Sequence, residues 1–156
     1  MLVCRHQTFL SVPVPEVWEL VGQPNRHSEW WPEVVEIQGS QFGRGCSYCQ
    51  VSRAEDGVTQ TTFLVERMEK FRELLVRCDD TGLYMRWLLT EARDGTFVDA
   101  EFGIDPERAA ESDPRFDPLA GKAELRRWLQ SSLDGLADAI SPTSQPASGL
   151  GSGPPR

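Results

Sequence analysis

A chain of 156 residues with a formal net charge of −8 is long enough to form one domain with a sizeable core. The negative balance and the lack of a basic run exclude nucleic acid and anionic membrane surfaces as expected partners, because both attract clustered positive charge. No apolar run approaches the roughly 20 residues of a membrane span, and the first residues lack the apolar core of a signal peptide. We therefore expect a cytoplasmic protein without a membrane span.

The first part of the chain predicts a strand, two short helices and a second strand. Pro15 fits the first position of a helix, where a backbone N–H is not required. Apolar residues then recur at three- and four-residue spacing over 17–21, which predicts one apolar helix face. Trp30 and Trp31 end a second helical turn and are predicted to pack the short helices against the sheet, before a strand over 32–39.

Turn residues separate five further runs with strand character. Asp-Gly between alternating apolar and polar residues is a strong hairpin signal, and it occurs at 56–57 and 94–95. The resulting antiparallel meander has one apolar and one polar face, which predicts a twisted, half-solvated sheet. The five strands are predicted at 45–53, 58–68, 71–78, 83–92 and 96–104.

The turn lengths also predict which residues lie opposite one another. All the predicted pairs place their large apolar residues on one common face, and a one-residue slip would turn a whole strand over, so the agreement supports the sheet. Leu64, Leu75 and Leu88 are the apolar exceptions on the outer face. The expected pairs are Tyr48 with Phe63, Phe63 with Val76, Val65 with Leu74, Leu74 with Trp87, Val76 with Met85, Trp87 with Phe102, Leu89 with Ala100 and Glu91 with Val98.

The C-terminal third predicts a loop, a long helix and a tail. Residues 105–117 are rich in Asp, Glu, Pro and Arg and are predicted to form an exposed loop. Residues 118–140 carry an apolar stripe at three- and four-residue spacing, typical of a helix lying on a core. The Pro, Ser and Gly of 142–156 cannot bury apolar surface, so this tail is predicted to be disordered and the single domain to span 1–141.

These elements together resemble the SRPBCC superfamily, which includes START-like and polyketide-cyclase-like proteins. Val14-Pro15 stands where that superfamily often has Ala-Pro, and Val17-Trp18 and Trp31-Pro32 match its first helix and the entry to its second strand. The resemblance covers roughly 1–141. It implies an α+β helix-grip fold: a curved, seven-stranded antiparallel sheet wrapped on a long C-terminal helix, with two short helices between strands one and two.

The resemblance also implies an apolar cavity between sheet and helix that holds a hydrophobic or aromatic small molecule, such as a lipid or a polyketide. Aromatic and Met side chains suit its walls, and a few polar groups could orient a ligand. The alternative is that the same side chains fill a closed core. The predicted ligand-binding residues are Trp31, Tyr48, Gln50, Thr61, Phe63, Val65, Leu74, Val76, Met85, Trp87, Leu89, Glu91, Val98, Ala100, Phe102, Leu125, Trp128, Leu129 and Ser132.

Several residues have side chains suited to catalysis or metal binding, among them His6 on the first strand as a possible base. Glu91 is the candidate catalytic acid or base, because the predicted register turns it inward; the alternative is a solvated position at the hairpin rim. His27 lies among polar residues and is predicted to be solvated on the surface. Cys46 and Cys49 have the spacing of a redox pair or half a zinc site, but residues three apart on a strand face opposite sides. We therefore predict structural cysteines, no metal and no cofactor.

Two functions from different classes remain open at this point. The first is binding of a hydrophobic small molecule, with polyketide cyclisation or dehydration as the activity if the protein is an enzyme. The second is a protein-interaction role, as in the Hsp90-activator-like or ubiquinone-chaperone-like branches of the superfamily. Leu64, Leu75 and Leu88 favour the second and could equally form the surface of a homodimer.

Overall fold

A seven-stranded antiparallel sheet and a long helix on its inner face make up most of the computed structural model, which describes residues 1–140. The predicted α+β helix-grip fold is thereby confirmed, and the predicted tail 142–156 lies outside the described residues. The elements are β1 (Leu2–Leu10), α1 (Val14–Val21), a 3-10 turn (Pro24–Arg26), α2 (His27–Trp30), β2 (Val34–Gln38), β3 (Ser47–Ala54), β4 (Gly57–Glu69), β5 (Glu73–Arg77), β6 (Tyr84–Ala92), β7 (Gly95–Ile104), α3 (Pro106–Ser112) and α4 (Pro118–Ile140). The strand order is β1-β7-β6-β5-β4-β3-β2.

The predicted register is confirmed in two hairpins, where Tyr48 pairs with Phe63, Leu74 with Trp87 and Val76 with Met85.

The register between β4 and β5 differs from the prediction. Val65 pairs with Val76 instead of Leu74, and consequently Phe63 does not pair with Val76. The connection is a three-residue loop over 70–72, in which Phe71 has the left-handed φ of 68°, and a bulge follows Val65. A bulge adds one residue to one strand and so reverses the alternation of side chains beyond it. The apolar side chains of both strands therefore still face inward.

The register between β6 and β7 is shifted by two residues from the prediction. Trp87 pairs with Ala100 and not with Phe102, and Leu89 pairs with Val98 and not with Ala100. The cause is the turn, which is formed by residues 93–94, one residue earlier than the Asp-Gly pair suggested. A shift of two leaves every side chain on its predicted face, because the strand repeat is two residues.

The inner face of the sheet packs against α4 and the two short helices. The largest fully buried side chains include Trp31, Trp87, Phe102 and Leu136. Helix α4 approaches the end of α2 so closely that a Cβ atom at Gly135 would lie 2.0 Å from the carbonyl oxygen of Trp30. This contact places the aromatic residues of α2 between the sheet and α4.

The outer face carries a buried acid between two arginines. Glu73 is only 3% exposed, and its carboxylate accepts hydrogen bonds from Arg86 Nε at 2.5 Å and Arg67 Nη1 at 3.3 Å. Burial alone would raise the pKa of Glu73, but these hydrogen bonds outweigh it and hold the pKa below its ordinary value. Leu75 and Leu88 are half-buried beside these charged groups.

Part of the predicted loop 105–117 is helical, so that prediction is wrong for α3. Asp105 caps this helix, since its side chain accepts hydrogen bonds from the backbone N–H groups of Glu107 and Arg108, and Pro106 occupies the first turn.

Among residues 1–140, no helix combines the length and the apolar character that crossing a membrane requires.

Candidate ligand site between the sheet and the long helix

The side chains that follow α1 fold back onto the end of that helix. The last carbonyl groups of a helix have no partner within it. Here Arg26 Nη1 donates to the carbonyl of Glu19 at 3.2 Å, and Trp30 Nε1 donates to the carbonyl of Leu20 at 3.1 Å. His27 Nε2 lies 2.9 Å from the carbonyl oxygen of Val21. Three consecutive carbonyls are therefore satisfied from α2 and the turn before it.

His27 is fully buried, so the prediction of a solvated surface residue is wrong. The polar residues around it misled that prediction, because burial follows from the fold-back onto α1. Desolvation lowers the pKa of His27 to about 4, against the smaller opposing effect of its hydrogen bond to Val21. The imidazole is therefore neutral near pH 7.

Aromatic rings surround His27. The ring centroids of Trp30 and Trp87 lie 5.2 and 5.3 Å from that of His27, both in edge-to-face geometry. Trp31 is 6.3 Å away from it and packs in turn on Trp87 at 5.8 Å and on Phe102 at 5.7 Å. These rings form an aromatic box around the imidazole of His27.

Several buried polar atoms in this interior lack a hydrogen-bond partner among the described residues. Native proteins leave few buried side-chain polar atoms unpaired, because each one loses its bonds to water without replacement. The set combines three indole N–H donors with acceptors and a hydroxyl. Its members are His27 Nδ1, Trp31 Nε1, Tyr48 Oη, Gln50 Oε1, Trp87 Nε1 and Trp128 Nε1.

These unpartnered atoms come from β3, β6, α4, α2 and the residue after α2, and His27 is the member on α2 itself. Trp31 follows α2, Trp87 lies on β6, and Trp128 lies on α4, whereas Tyr48 and Gln50 lie on β3. Burial raises the pKa of the Tyr48 hydroxyl, which therefore stays protonated and can donate as well as accept. Gln50 uses its Nε2 on Ser52 Oγ at 3.2 Å and leaves its oxygen free.

A pocket of about 320 Å³ opens at the N-terminal end of α4 and reaches Trp128. Leu83, Leu125 and Phe116 contribute apolar wall, and Arg115 stands at the charged rim. Trp128 lies 5.9 Å from Trp31, centroid to centroid, in edge-to-face geometry. The pocket is therefore separated from the aromatic box by the indole of Trp128.

The structure places most of the predicted ligand-binding residues on the inner face, and all of these are buried. Thr61 is only half-buried, and the buried Ser132 already donates to the carbonyl of Leu129 at 2.8 Å. Leu125 and Trp128 line the pocket. The buried inner-face set comprises Trp31, Tyr48, Gln50, Phe63, Val65, Leu74, Val76, Met85, Trp87, Leu89, Val98, Ala100, Phe102, Leu125, Trp128, Leu129 and Ser132.

Of the two positions considered for Glu91, the structure shows the solvated one at the hairpin rim and not the apolar one. Glu91 pairs with Thr96 and not with Val98, which places it one residue from the end of its strand, and its side chain is exposed. His27 is a titratable residue buried in this interior, and its burial was not predicted from the sequence. One signal could have found it: His27 and Trp30 are three residues apart, so that they share one helix face, and Trp30 was already predicted to pack inward.

All four cysteines are free, with Cys46 and Cys49 half-buried and Cys4 and Cys78 buried. Within the described residues 1–140, no group of three or more His, Cys, Asp or Glu side chains is placed to hold a metal ion.

Comparison with known proteins supports the fold. No protein-family description and no curated protein matches the chain. Among solved structures, a START superfamily protein from Mycobacterium smegmatis aligns with a TM-score of 0.70 at 10% identity, over 90% of this chain and 97% of that one. The Aha1 dimer from Colwellia psychrerythraea aligns with a TM-score of 0.66 at 14% identity, over 90% and 96% of the two chains.

A third similar structure is the di-domain ARO/CYC StfQ from the steffimycin biosynthetic pathway. It aligns with a TM-score of 0.67 at 16% identity, over 92% of this chain and 51% of that one, so this chain spans about half of StfQ. At these identities the likeness concerns the fold. The chain has the helix-grip fold of the SRPBCC, START-like superfamily.

Proposed function

We propose that this protein binds a hydrophobic, aromatic-sized molecule between the sheet and α4, and that the molecule carries oxygen substituents. The observation that carries this proposal is the set of buried, unpartnered polar atoms contributed by β3, β6, α4, α2 and the residue after α2. A site of apolar walls with a few convergent polar groups is the usual make-up of a small-molecule site.

The chemistry of the unpartnered atoms defines the complementary ligand. Indole N–H groups only donate, so those of Trp31, Trp87 and Trp128 call for acceptors such as carbonyl or ether oxygens. The flat rings around them favour a flat, polarizable ligand. A polycyclic or chain-like polyketide with carbonyl and hydroxyl groups meets both requirements, and a saturated lipid tail meets neither.

The structural likeness to ARO/CYC proteins supports polyketide cyclisation or dehydration as the activity of such a site. In that reaction class a confined cavity would hold a reactive chain in a folded conformation, which supplies much of the rate enhancement through proximity. The exposed Glu91 does not lie in an apolar setting, and we do not assign the proton transfer to it.

Removing one indole donor should weaken binding of an oxygenated polycycle. We expect Trp128→Phe to bind 1,8-dihydroxyanthraquinone about 5-fold more weakly than the wild type, because one hydrogen bond contributes about 1 kcal/mol and the ring remains. Titration followed by tryptophan fluorescence and calorimetry measures the change. Trp18→Phe is the matched control, since the Trp18 nitrogen is not among the unpartnered atoms. Absence of binding by the wild type would contradict the proposed function.

A second candidate is association of two copies through the outer face of the sheet. The rings of Phe9 and Phe97 contact each other there in edge-to-face geometry, with their centroids 5.2 Å apart. The two residues remain 42% and 37% exposed. The likeness to a protein solved as a dimer accords with this candidate. We expect Phe97→Ser to shift a wild-type dimer toward monomer in sedimentation analysis at micromolar concentration. A wild type that sediments as a monomer at every concentration rules this candidate out.

A further inference from the structure

We propose that His27 makes the interior site selective for ligands that carry a hydroxyl group, by accepting a hydrogen bond from that hydroxyl at Nδ1. This inference rests on the proposed function, because it names the group that recognises the ligand in the same site.

The tautomer of His27 follows from that contact. The carbonyl oxygen of Val21 can only accept a hydrogen bond, so the hydrogen of the neutral imidazole must be on Nε2, 2.9 Å away. The lone pair is then on Nδ1. Capping of α1 thus orients the ring and fixes its free nitrogen as an acceptor.

The position of Nδ1 is costly unless something donates to it. The residue is fully buried, and Nδ1 finds no donor within residues 1–140. A phenylalanine or leucine could fill the same space without this cost, since the ring lies among Trp30, Trp31 and Trp87. A donor supplied by a ligand would satisfy the atom.

The surroundings also define which donor fits. His27 is neutral near pH 7 because burial lowers its pKa, and the rings packed on it carry no charge. A carboxylate or phosphate would bring an uncompensated negative charge next to a lone pair. A phenol or enol hydroxyl brings a hydrogen on a flat apolar ring, and the adjacent indole N–H groups of Trp31 and Trp87 can donate to its neighbouring oxygens.

A chain of aromatic contacts connects His27 with the pocket at the N-terminal end of α4. Trp128 lines the pocket, Trp31 lies 5.9 Å from Trp128, and His27 lies 6.3 Å from Trp31. A ligand entering from this pocket has to rotate these two indoles to approach Nδ1. Both indole nitrogens are unpartnered, so the rotation breaks no side-chain hydrogen bond among the described residues.

The test compares two ligands that differ in one hydrogen-bond donor. The full 156-residue chain is titrated calorimetrically with 1-naphthol and with 1-methoxynaphthalene, which has the same ring system and oxygen but no hydroxyl hydrogen. We expect the wild type to prefer 1-naphthol about 5- to 10-fold, as one hydrogen bond to a buried acceptor predicts.

Two substitutions locate the preference. His27→Leu removes both the donor to Val21 and the imidazole lone pair, whereas His27→Gln keeps a donor to Val21 and offers an amide oxygen as an acceptor in place of the lone pair. We expect the ratio of the two affinities to fall to about 1 in His27→Leu and to be retained in part in His27→Gln, whose amide oxygen can accept from the hydroxyl. In the wild type, the ¹⁵N resonance of His27 Nδ1 should move with 1-naphthol and not with 1-methoxynaphthalene.

The outcomes separate the two proposals. If neither compound binds the wild type, the proposed function fails and the role of His27 fails with it. If both bind with equal affinity, or if 1-naphthol leaves the Nδ1 resonance unchanged, the site binds aromatic ligands and only the role of His27 is overturned.

Discussion

Acidification from about pH 6.5 to about pH 4 should remove up to about 3 kcal/mol of unfolding free energy that depends on His27. The folded state lowers the pKa of His27 from 6.5 to about 4, so the unfolded chain takes up a proton in this window and the folded protein does not. A state that binds more protons gains as the pH falls, and here that state is the unfolded one. The contribution of His27 to the unfolding free energy is therefore fully present above about pH 6.5 and is lost as the pH falls towards 4.

His27→Gln isolates the contribution of His27 from that of the carboxylates, which also titrate in acid. Urea unfolding of both proteins at a series of pH values gives two curves of unfolding free energy. We expect the wild-type curve to fall more steeply than the variant curve between about pH 6.5 and pH 4, with the difference constant outside that window. Parallel curves would show that His27 is accessible to protons in the folded state.

Gly135→Ala should destabilise the protein by about 2–3 kcal/mol, as overpacking in a closed interior does. This sign is opposite to the usual effect, because alanine is favoured over glycine inside a helix by about 0.5–1 kcal/mol. At Gly135 the added methyl group would lie 2.0 Å from the carbonyl oxygen of Trp30 and 2.8 Å from Cδ of Pro32. Backbone cannot rotate away as a flexible side chain can, so α4 must move off α2.

Ser131→Ala is the matched control in the same helix. Ser131 is half-buried on α4, and its replacement tests helix preference without the contact to Trp30. Thermal and urea unfolding should therefore show a lower unfolding free energy for Gly135→Ala than for the wild type. For Ser131→Ala the change should be close to zero or of the opposite sign. A Gly135→Ala protein as stable as the wild type would mean that α4 does not approach the end of α2 as closely as 2.0 Å implies.

The register between β3 and β4 could be predicted from the sequence, whereas that between β6 and β7 could not, because the turn there lies one residue before Asp94-Gly95. Ala54 and Gly57 bracket a two-residue turn, and the pairing of Tyr48 with Phe63 follows as expected. The β4–β5 hairpin could not be predicted in this way, because its loop needs Phe71 in the left-handed region and a bulge after Val65. Neither feature has a residue-type signal, since glycine and asparagine are absent from that loop.

The inner face could be predicted because alternation along the strands survives a two-residue shift. This is why Trp87 and Phe102 are buried as expected although they do not pair. The hydrogen bond between His27 and the carbonyl of Val21 could not be predicted, since it depends on the distance between α2 and the end of α1. That distance is set by packing of Trp30 and Trp31 against the sheet and α4, which is a contact between distant parts of the chain.

The order of the strands also constrains the order in which the protein can be completed during synthesis. β1 lies at one edge of the sheet beside β7, while β2 lies at the opposite edge. β1 therefore leaves the ribosome first but has no strand to pair with until β7 has been made. The hairpins from β2 to β7 join neighbouring segments, whose closure costs little chain entropy. Of the seven strands of this sheet, the one made first is thus the last to enter it.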